Sequence, residues 1–383
     1  MKPINLSDFP NDTYIFLKPE KRNEICRKLE EKYGYLTRCR KIVNINFYSF
    51  RDGDWKKKGK QIRCYISLQH LKKICDLLNI RVNDLHSHIE EIKTSSRSGV
   101  IKSPKLPLEV TPEMFAVLSH LISDGYGGEK GRSVYVNINK EARENFISKL
   151  NASFGDVYWS WNPNHPEYVC ISKLVPKVLK KYFKIKDLRS RKSKITELIR
   201  TAPKEHIIEF LKAIIIDEGR IADSAIYIEF KANPRLTHAV KDLCEKRLGY
   251  KCSISKNVLL ISCKNFEVIK KEMQNFIIPH KQEKFMKFFK RKARRSYNRY
   301  KGTTKKEIIT CLLKKPLSVS EIAGMLDLKD SGVRDQICGY NLKEKRIPGL
   351  IDLGIVNIQT LGRYSTRIFT ISDKNKAEAY LKD

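Results

Sequence analysis

Acidic side chains are in short supply in this chain: 43 Asp and Glu stand against 76 Lys and Arg, leaving a formal net charge of +33 over 383 residues. That deficit exceeds what solubility requires, and a field of this sign attracts polyanions and speeds their encounter. The ten cysteines never form a CxxC pair. Zinc-finger and disulfide-framework spacings are therefore excluded, and buried reduced thiols in a cytoplasmic protein are expected. No apolar run approaches the ~18 residues of a membrane span, and the N-terminus carries no signal-peptide apolar core, so no membrane partner is expected. What remains is a soluble basic protein of two or three domains whose expected partner is nucleic acid.

Four regions separate along the chain. Residues 1–98 form an N-terminal α+β region. A charged helix closes over Leu29 to Tyr33, strands are expected over Val43 to Phe50 and Gln61 to Ser67, and helices over Leu68 to Leu78 and Val82 to Ile92. Prolines and serines mark 99–111 as a linker. Residues 112–279 say the same thing twice: a helix ending in Asp-Gly or Glu-Gly, then strand, helix, two strands and helix. The first copy has helices over Pro112 to Asp124, Glu141 to Ser153 and Val175 to Phe183, with strands over Ser133 to Asn139, Val157 to Trp161 and Tyr168 to Ser172. The second has helices over Lys204 to Glu218, Pro234 to Leu248 and Phe266 to Phe276, with strands over Ala225 to Lys231, Cys252 to Ser255 and Leu259 to Cys263.

The strand after each acidic-Gly helix end alternates with period two. Val134, Val136 and Ile138 in the first, and Ile226, Ile228 and Phe230 in the second, are assigned to the core face. Tyr135 and Tyr227 fall at matching places, and the wet faces then carry Tyr135, Asn137, Tyr227 and Glu229.

Residues 280–304 read as a basic helical connector. Between His280 and Lys306 twelve Lys and Arg, including Lys287, Arg291, Arg294 and Arg295, accompany one acid, Glu283. Phe285, Phe288 and Phe289 form an apolar stripe at helical spacing. In residues 305–383, Ser318 to Glu321 is a capping box opening a second helix, with Ile322 and Met325 facing inward. Asp330 caps a third helix bearing Arg334 and Gln336, and Arg363 and Arg367 flank a basic hairpin tip. This order resembles winged helix-turn-helix DNA-binding domains, in which the third helix enters the major groove.

The nonapeptides Val117-Leu-Ser-His-Leu-Ile-Ser-Asp-Gly125 and Leu211-Lys-Ala-Ile-Ile-Ile-Asp-Glu-Gly219 carry apolar starts, a small third residue (Ser119, Ala213), an acid at position eight and glycine at nine. Small residues let two helix backbones approach, and a glycine after the acid suits the left-handed conformation that ends a helix. Asp217 beside Glu218 leaves the second acid open to two registers; Glu218 is chosen because it directly precedes Gly219. His120 replaces an aliphatic residue and is read as packed or at the surface.

This pattern resembles the LAGLIDADG homing endonucleases in their single-chain, two-motif form. The resemblance covers residues 112–279 and implies a pseudo-twofold duplicated αββαββα domain within an α+β chain, acting as a monomer on double-stranded DNA. It implies a site-specific, intron-homing type of endonuclease, a hydrolase in which Asp124 and Glu218 bind Mg²⁺ or Mn²⁺. Lys173 and Lys264, each just after the last strand of its repeat, match the family's active-site lysine, and Asn139 and Lys231 its water-positioning polar residue. Tyr135, Asn137, Tyr227 and Glu229 would read base edges. Two alternatives stay open: a transcriptional regulator in which the domain has given up cleavage, and an RNA-splicing maturase, since charge serves DNA and RNA alike.

Overall fold

The computed structural model describes residues 1–57, 60–94, 99–127, 133–222, 225–272, 281, 283–284, 303–326, 328–342, 345–361 and 366–382. It divides into two compact units, Met1–Phe285 and Met286–Asp383. Helix and sheet are mixed in both. No helix among the described residues is long and apolar enough to cross a membrane.

The first unit opens with β1 (Tyr14–Leu17), α1 (Pro19–Tyr33), α2 (Leu36–Val43) and α3 (Phe47–Asp52). The hairpin β2 (Asp54–Lys57) and β3 (Lys60–Arg63) follows, then β4 (Ile66–Ser67), α4 (Leu68–Leu78), β5 (Ile89–Lys93) and β6 (Ile101–Lys102). The alternation in 43–50 is not a strand: Asn46 accepts from the amides of Tyr48 and Ser49, and Phe47 and Phe50 are buried from one side of the short helix this cap starts. Residues 82–88 form a 3-10 turn before β5, not a helix reaching Ile92.

The stretch 99–111 is not a linker. Ile101 pairs with Ile92 of β5 and with Val157 of β9 (Asp156–Val157), completing a five-stranded sheet β4-β1-β5-β6-β9. Leu108 bridges to Ile4 and is fully buried. A solvent-run connector would leave these apolar side chains in water, so the N-terminal region and the repeat region are sewn together there.

Next come α5 (Pro112–Ser123), β7 (Gly125–Gly127), β8 (Ser133–Val136) and α6 (Lys140–Phe154). After β9 follow β10 (Trp159–Asn162), β11 (His165–Ile171), α7 (Leu174–Tyr182) and α8 (Glu197–Arg200). The unit continues with α9 (Lys204–Asp217), β12 (Gly219–Ile221), β13 (Ala225–Glu229), α10 (Pro234–Leu248), β14 (Cys252–Ser255), β15 (Val258–Ser262) and α11 (Phe266–Glu272). Two four-stranded antiparallel sheets result, β7-β8-β11-β10 and β12-β13-β15-β14, with the same order of first, second, fourth and third strand.

The two sheets are not in the register that matching Tyr135 to Tyr227 requires. Gly125 pairs with Tyr135, whereas Gly219 pairs with Ile228. Relative to the motif glycines Tyr135 therefore stands where Ile228 does, a slip of one residue, which exchanges the faces of the strand. Tyr135 is fully buried against His120 and Phe146, with ring centroids 5.1 and 4.4 Å away. In β13 the expected phase holds: Ile226 and Ile228 are fully buried and Tyr227 is not.

The second unit contains α12 (Thr303–Lys314), β16 (Leu317–Ser318), α13 (Val319–Leu326) and α14 (Asp330–Cys338). A hairpin β17 (Tyr340–Leu342) and β18 (Lys345–Ile347) precedes β19 (Val356–Leu361), β20 (Thr366–Ile371) and α15 (Lys374–Lys382). The sheet order is β16-β20-β19. Ile308, Ile322, Val333, Ile337 and Phe369 fill its core. Ser318 and Glu321 exchange bonds as a capping box, Ser318 N to Glu321 Oε2 at 2.7 Å and Glu321 N to Ser318 Oγ at 3.3 Å. Met325, expected inside, is 55% exposed. Asp330 does not cap α14; it lies in the first turn and accepts from Ser320 Oγ at 2.7 Å.

Candidate metal centre and nucleic-acid interface

α5 packs on α9 more extensively than any other pair of elements among the described residues. Every residue from Met114 to Ser123 is buried, as a helix apolar on all sides must be. The small third residues of the motifs lie in this contact. Ser119 Oγ donates to the carbonyl of Phe210 at 2.7 Å, and Ala213 is fully buried. A larger side chain at either place would push the helices apart.

The motif glycines do a different job from the one expected. Neither Gly125 nor Gly219 has a positive φ. Each starts a strand, and a Cβ would lie 2.3 Å from Leu121 O at Gly125 and 2.5 Å from Ile215 O at Gly219. The chain turns back so tightly over the last helical turn that only hydrogen fits.

Asp124 and Glu218 are the C-caps of α5 and α9. Burial, the charge of Asp217 and then that of Glu218 push the Asp124 carboxyl up to about 8. Burial and Asp217 push Glu218 up to about 7. The charge of Glu218 thus reaches Asp124, and each acid sits at the negative end of a helix dipole, a place that favours a cation. Glu229 adds to the repulsion on Glu218, while Lys231 offsets part of it.

Asp217 faces the other way. Its side chain is fully buried, with Oδ2 2.9 Å from His120 Nδ1. Oδ1 accepts from Tyr135 Oη at 2.7 Å and from Asn137 Nδ2 at 3.1 Å. The open register choice between Asp217 and Glu218 thus divides into two roles, a structural acid inside and a capping acid at the helix end. His120 is a buried member of this network.

Lys281 completes the centre and had no sequence signal, being one lysine in a lysine-rich stretch. Its ammonium donates to the carbonyls of Ile215, Ile216 and Gly219 at 2.7, 2.5 and 2.8 Å, capping the end of α9. Burial pulls its pKa down to about 8, against the opposing pull of Asp217, Asp124 and Glu218.

Several expected site residues lie elsewhere. Tyr135 and Asn137 are not on a base-reading face; both are committed to Asp217, because the register slip turns them inward. Asn139 is not placed to position water: it is the N-cap of α6, its side chain accepting from Ala142 N at 3.0 Å. Lys173 opens α7 and exposed Lys264 lies in a 3-10 turn after β15, while the cations acting most strongly on the two acids are Lys281 and, for Glu218, Lys231. Tyr227 and Glu229 do share the outer face of β13, where the Arg220 guanidinium lies 4.5 Å over the Tyr227 ring. In the second unit Arg334 is exposed on α14, Gln336 is half-buried and Arg367 is exposed on β20. Lys287, Arg291, Arg294, Arg295 and Arg363 lie outside the described residues.

The donor set suits a divalent cation that takes its remaining ligands from outside the chain. Asp124 and Glu218 cap the two packed helices, and among the described residues no group of three or more His, Cys, Asp or Glu could hold a metal ion.

No protein-family model matches the chain, and no curated protein matches it. Among solved structures the chain is similar to the homing endonuclease I-DmoI in complex with DNA and Ca, at 17% identity over 45% of this chain and 95% of that one, TM-score 0.32. It is also similar to full-length DUF199/WhiA from Thermatoga maritima, at 11% identity over 59% and 89% of the two chains, TM-score 0.27. The N-terminal LAGLIDADG domain of DUF199/WhiA aligns at 12% identity over 44% and 84%, TM-score 0.26.

Proposed function

We propose that this chain is a site-specific, metal-dependent double-stranded DNA endonuclease of the LAGLIDADG homing type, with a winged helix as a second DNA-binding module. The observation that carries this reading is the pair Asp124 and Glu218, each capping one of two packed helices and each followed by a four-stranded antiparallel sheet. Asp124 and Glu218 would hold Mg²⁺ or Mn²⁺. A divalent ion there, when bound, supplies charge to the scissile phosphate and acidifies water for its attack. Lys231 and Lys281 contribute positive charge beside the acids, and the outer face of β13, with Arg220, Tyr227 and Glu229, faces the major groove. Arg334 and Gln336 on α14 suit base edges in a neighbouring groove, and Arg367 suits a phosphate.

The test is cleavage of DNA from the native locus and of a randomised-site library, with Mg²⁺ or with EDTA. The expected result is metal-dependent cutting of both strands at a long asymmetric site. No metal-dependent product from either substrate would favour the second reading, a DNA-binding regulator without cleavage. One observation speaks for that reading: the Lys281 ammonium already lies in the field of both acids, where a cation would sit.

Affinity for duplex DNA should fall steeply with salt, each neutralised phosphate contributing about −0.9 to the slope of log K against log salt. Deleting residues 280–383 removes the basic connector and the second unit, and should flatten that slope by several of these increments. An unchanged slope would place the C-terminal basic region off the DNA.

A further inference from the structure

Away from the paired acids, a cavity of about 460 Å³ opens where the segment before α8 meets the start of α10. Five cations line it, Arg191, Lys192, Lys194, Arg200 and Arg235, and no acidic side chain does. Among the described residues only Arg200 of these has an acidic partner, Asp242 at 3.6 Å, which lies outside the lining. The arrangement is built. Asn233, the N-cap of α10, accepts from Leu236 N and donates from Nδ2 to the carbonyls of Ser190 and Ser193 at 2.7 and 3.0 Å. That clamp holds the 189–195 turn, closed by Ser193 N to Arg189 O at 2.8 Å, against the positive end of a 15-residue helix. Ser193 lines the cavity at 2% exposure, yet among the described residues its hydroxyl has no hydrogen-bond partner.

These features favour an anion. Five like charges around one hollow repel one another, and the helix dipole adds to the same sign. A buried hydroxyl without a partner is unfavourable. A phosphate answers both, since its oxygens accept from guanidinium, ammonium and hydroxyl donors together. We propose that this cavity is a phosphate-binding site, formed by Arg191, Lys192, Lys194 and Arg235 with Ser193 and the start of α10. Its phosphate belongs either to the backbone of bound DNA or to a free phosphorylated compound; only the first source rests on the nuclease reading.

Two probes separate the sources, both applied to the full chain: pyrophosphate by calorimetric titration without DNA, and duplex DNA across a salt series. The variant is Lys192→Gln with Arg235→Gln. The control, Arg27→Gln with Lys140→Gln, removes equal charge at positions 67% and 72% exposed on α1 and α6. Pyrophosphate binding weakened at least about tenfold in the variant and kept in the control establishes a site for a free phosphorylated compound. No pyrophosphate binding, with a salt slope on DNA reduced by about 1–2 in the variant and less in the control, assigns the phosphate to the DNA backbone. If variant and control agree with both probes, the inference is overturned; wild-type DNA binding in the same series then leaves the nuclease reading standing. Should the double variant fold poorly, Arg235→Gln alone carries the same comparison, since Arg235 is exposed in the first turn of α10.

Discussion

Asp217→Ala is expected to destabilise the first unit by about 3–5 kcal/mol, the scale of breaking a buried hydrogen-bond network. Its carboxylate is fully buried and answers three groups at once, His120 Nδ1, Tyr135 Oη and Asn137 Nδ2. Removing it leaves those donors in a site without water, at about 1–3 kcal/mol for each unsatisfied group. A counter-effect exists, because Asp217 also repels Asp124 and Glu218. Those two are C-caps that keep some contact with solvent, so the relief is the smaller quantity. Asp217→Asn keeps an acceptor of the same shape and should cost less than about 2 kcal/mol. Urea or thermal unfolding followed by circular dichroism measures both, with a fall in Tm of roughly 6–12 °C for the alanine variant. An alanine variant within about 0.5 kcal/mol of the parent would mean that the network does not hold the two helices together.

The same network explains where sequence patterns and structure part. Helical periodicity placed α4, α10 and the motif helices to within a residue, because each presents long apolar faces with clear caps, Ser67 and Thr111 among them. That Asp124 and Glu218 end the two motif helices was legible for a related reason, since their spacing from the small third residue and the glycine is local. The face of β8 was not. Its four residues, Ser-Val-Tyr-Val, offer apolar groups to both sides, so alternation could not set the phase. A distant residue, Asp217, sets it by giving buried Tyr135 and Asn137 a partner. Strands β7 and β12 escaped notice because three residues carry too little pattern, and 99–111 because its prolines masked Ile101, Leu108 and Val110. Lys281 is a tertiary contact without a local signature.

Asp124→Asn and Glu218→Gln should each leave a folded protein that binds DNA and does not cut it. Folding is favoured by the change. A carboxyl raised from 3.8 to about 8 is protonated more readily folded than unfolded, so metal-free stability is full below about 4 and is lost as pH rises to about 8. The neutral amide removes that loss, and metal-free Asp124→Asn should melt higher than the parent at pH 8.5. Binding should change little, because the phosphate contacts proposed for Lys and Arg elsewhere are left in place. Cleavage loses half of the pair that would hold the divalent ion, a loss of at least about 10³-fold. The decisive measurement is single-turnover cutting of the selected site with Mg²⁺ by the parent and each variant, with the affinity for the same DNA measured in parallel. The account predicts cleavage abolished in both variants with Kd within about threefold of the parent. Variants that cut at the parental rate would contradict it.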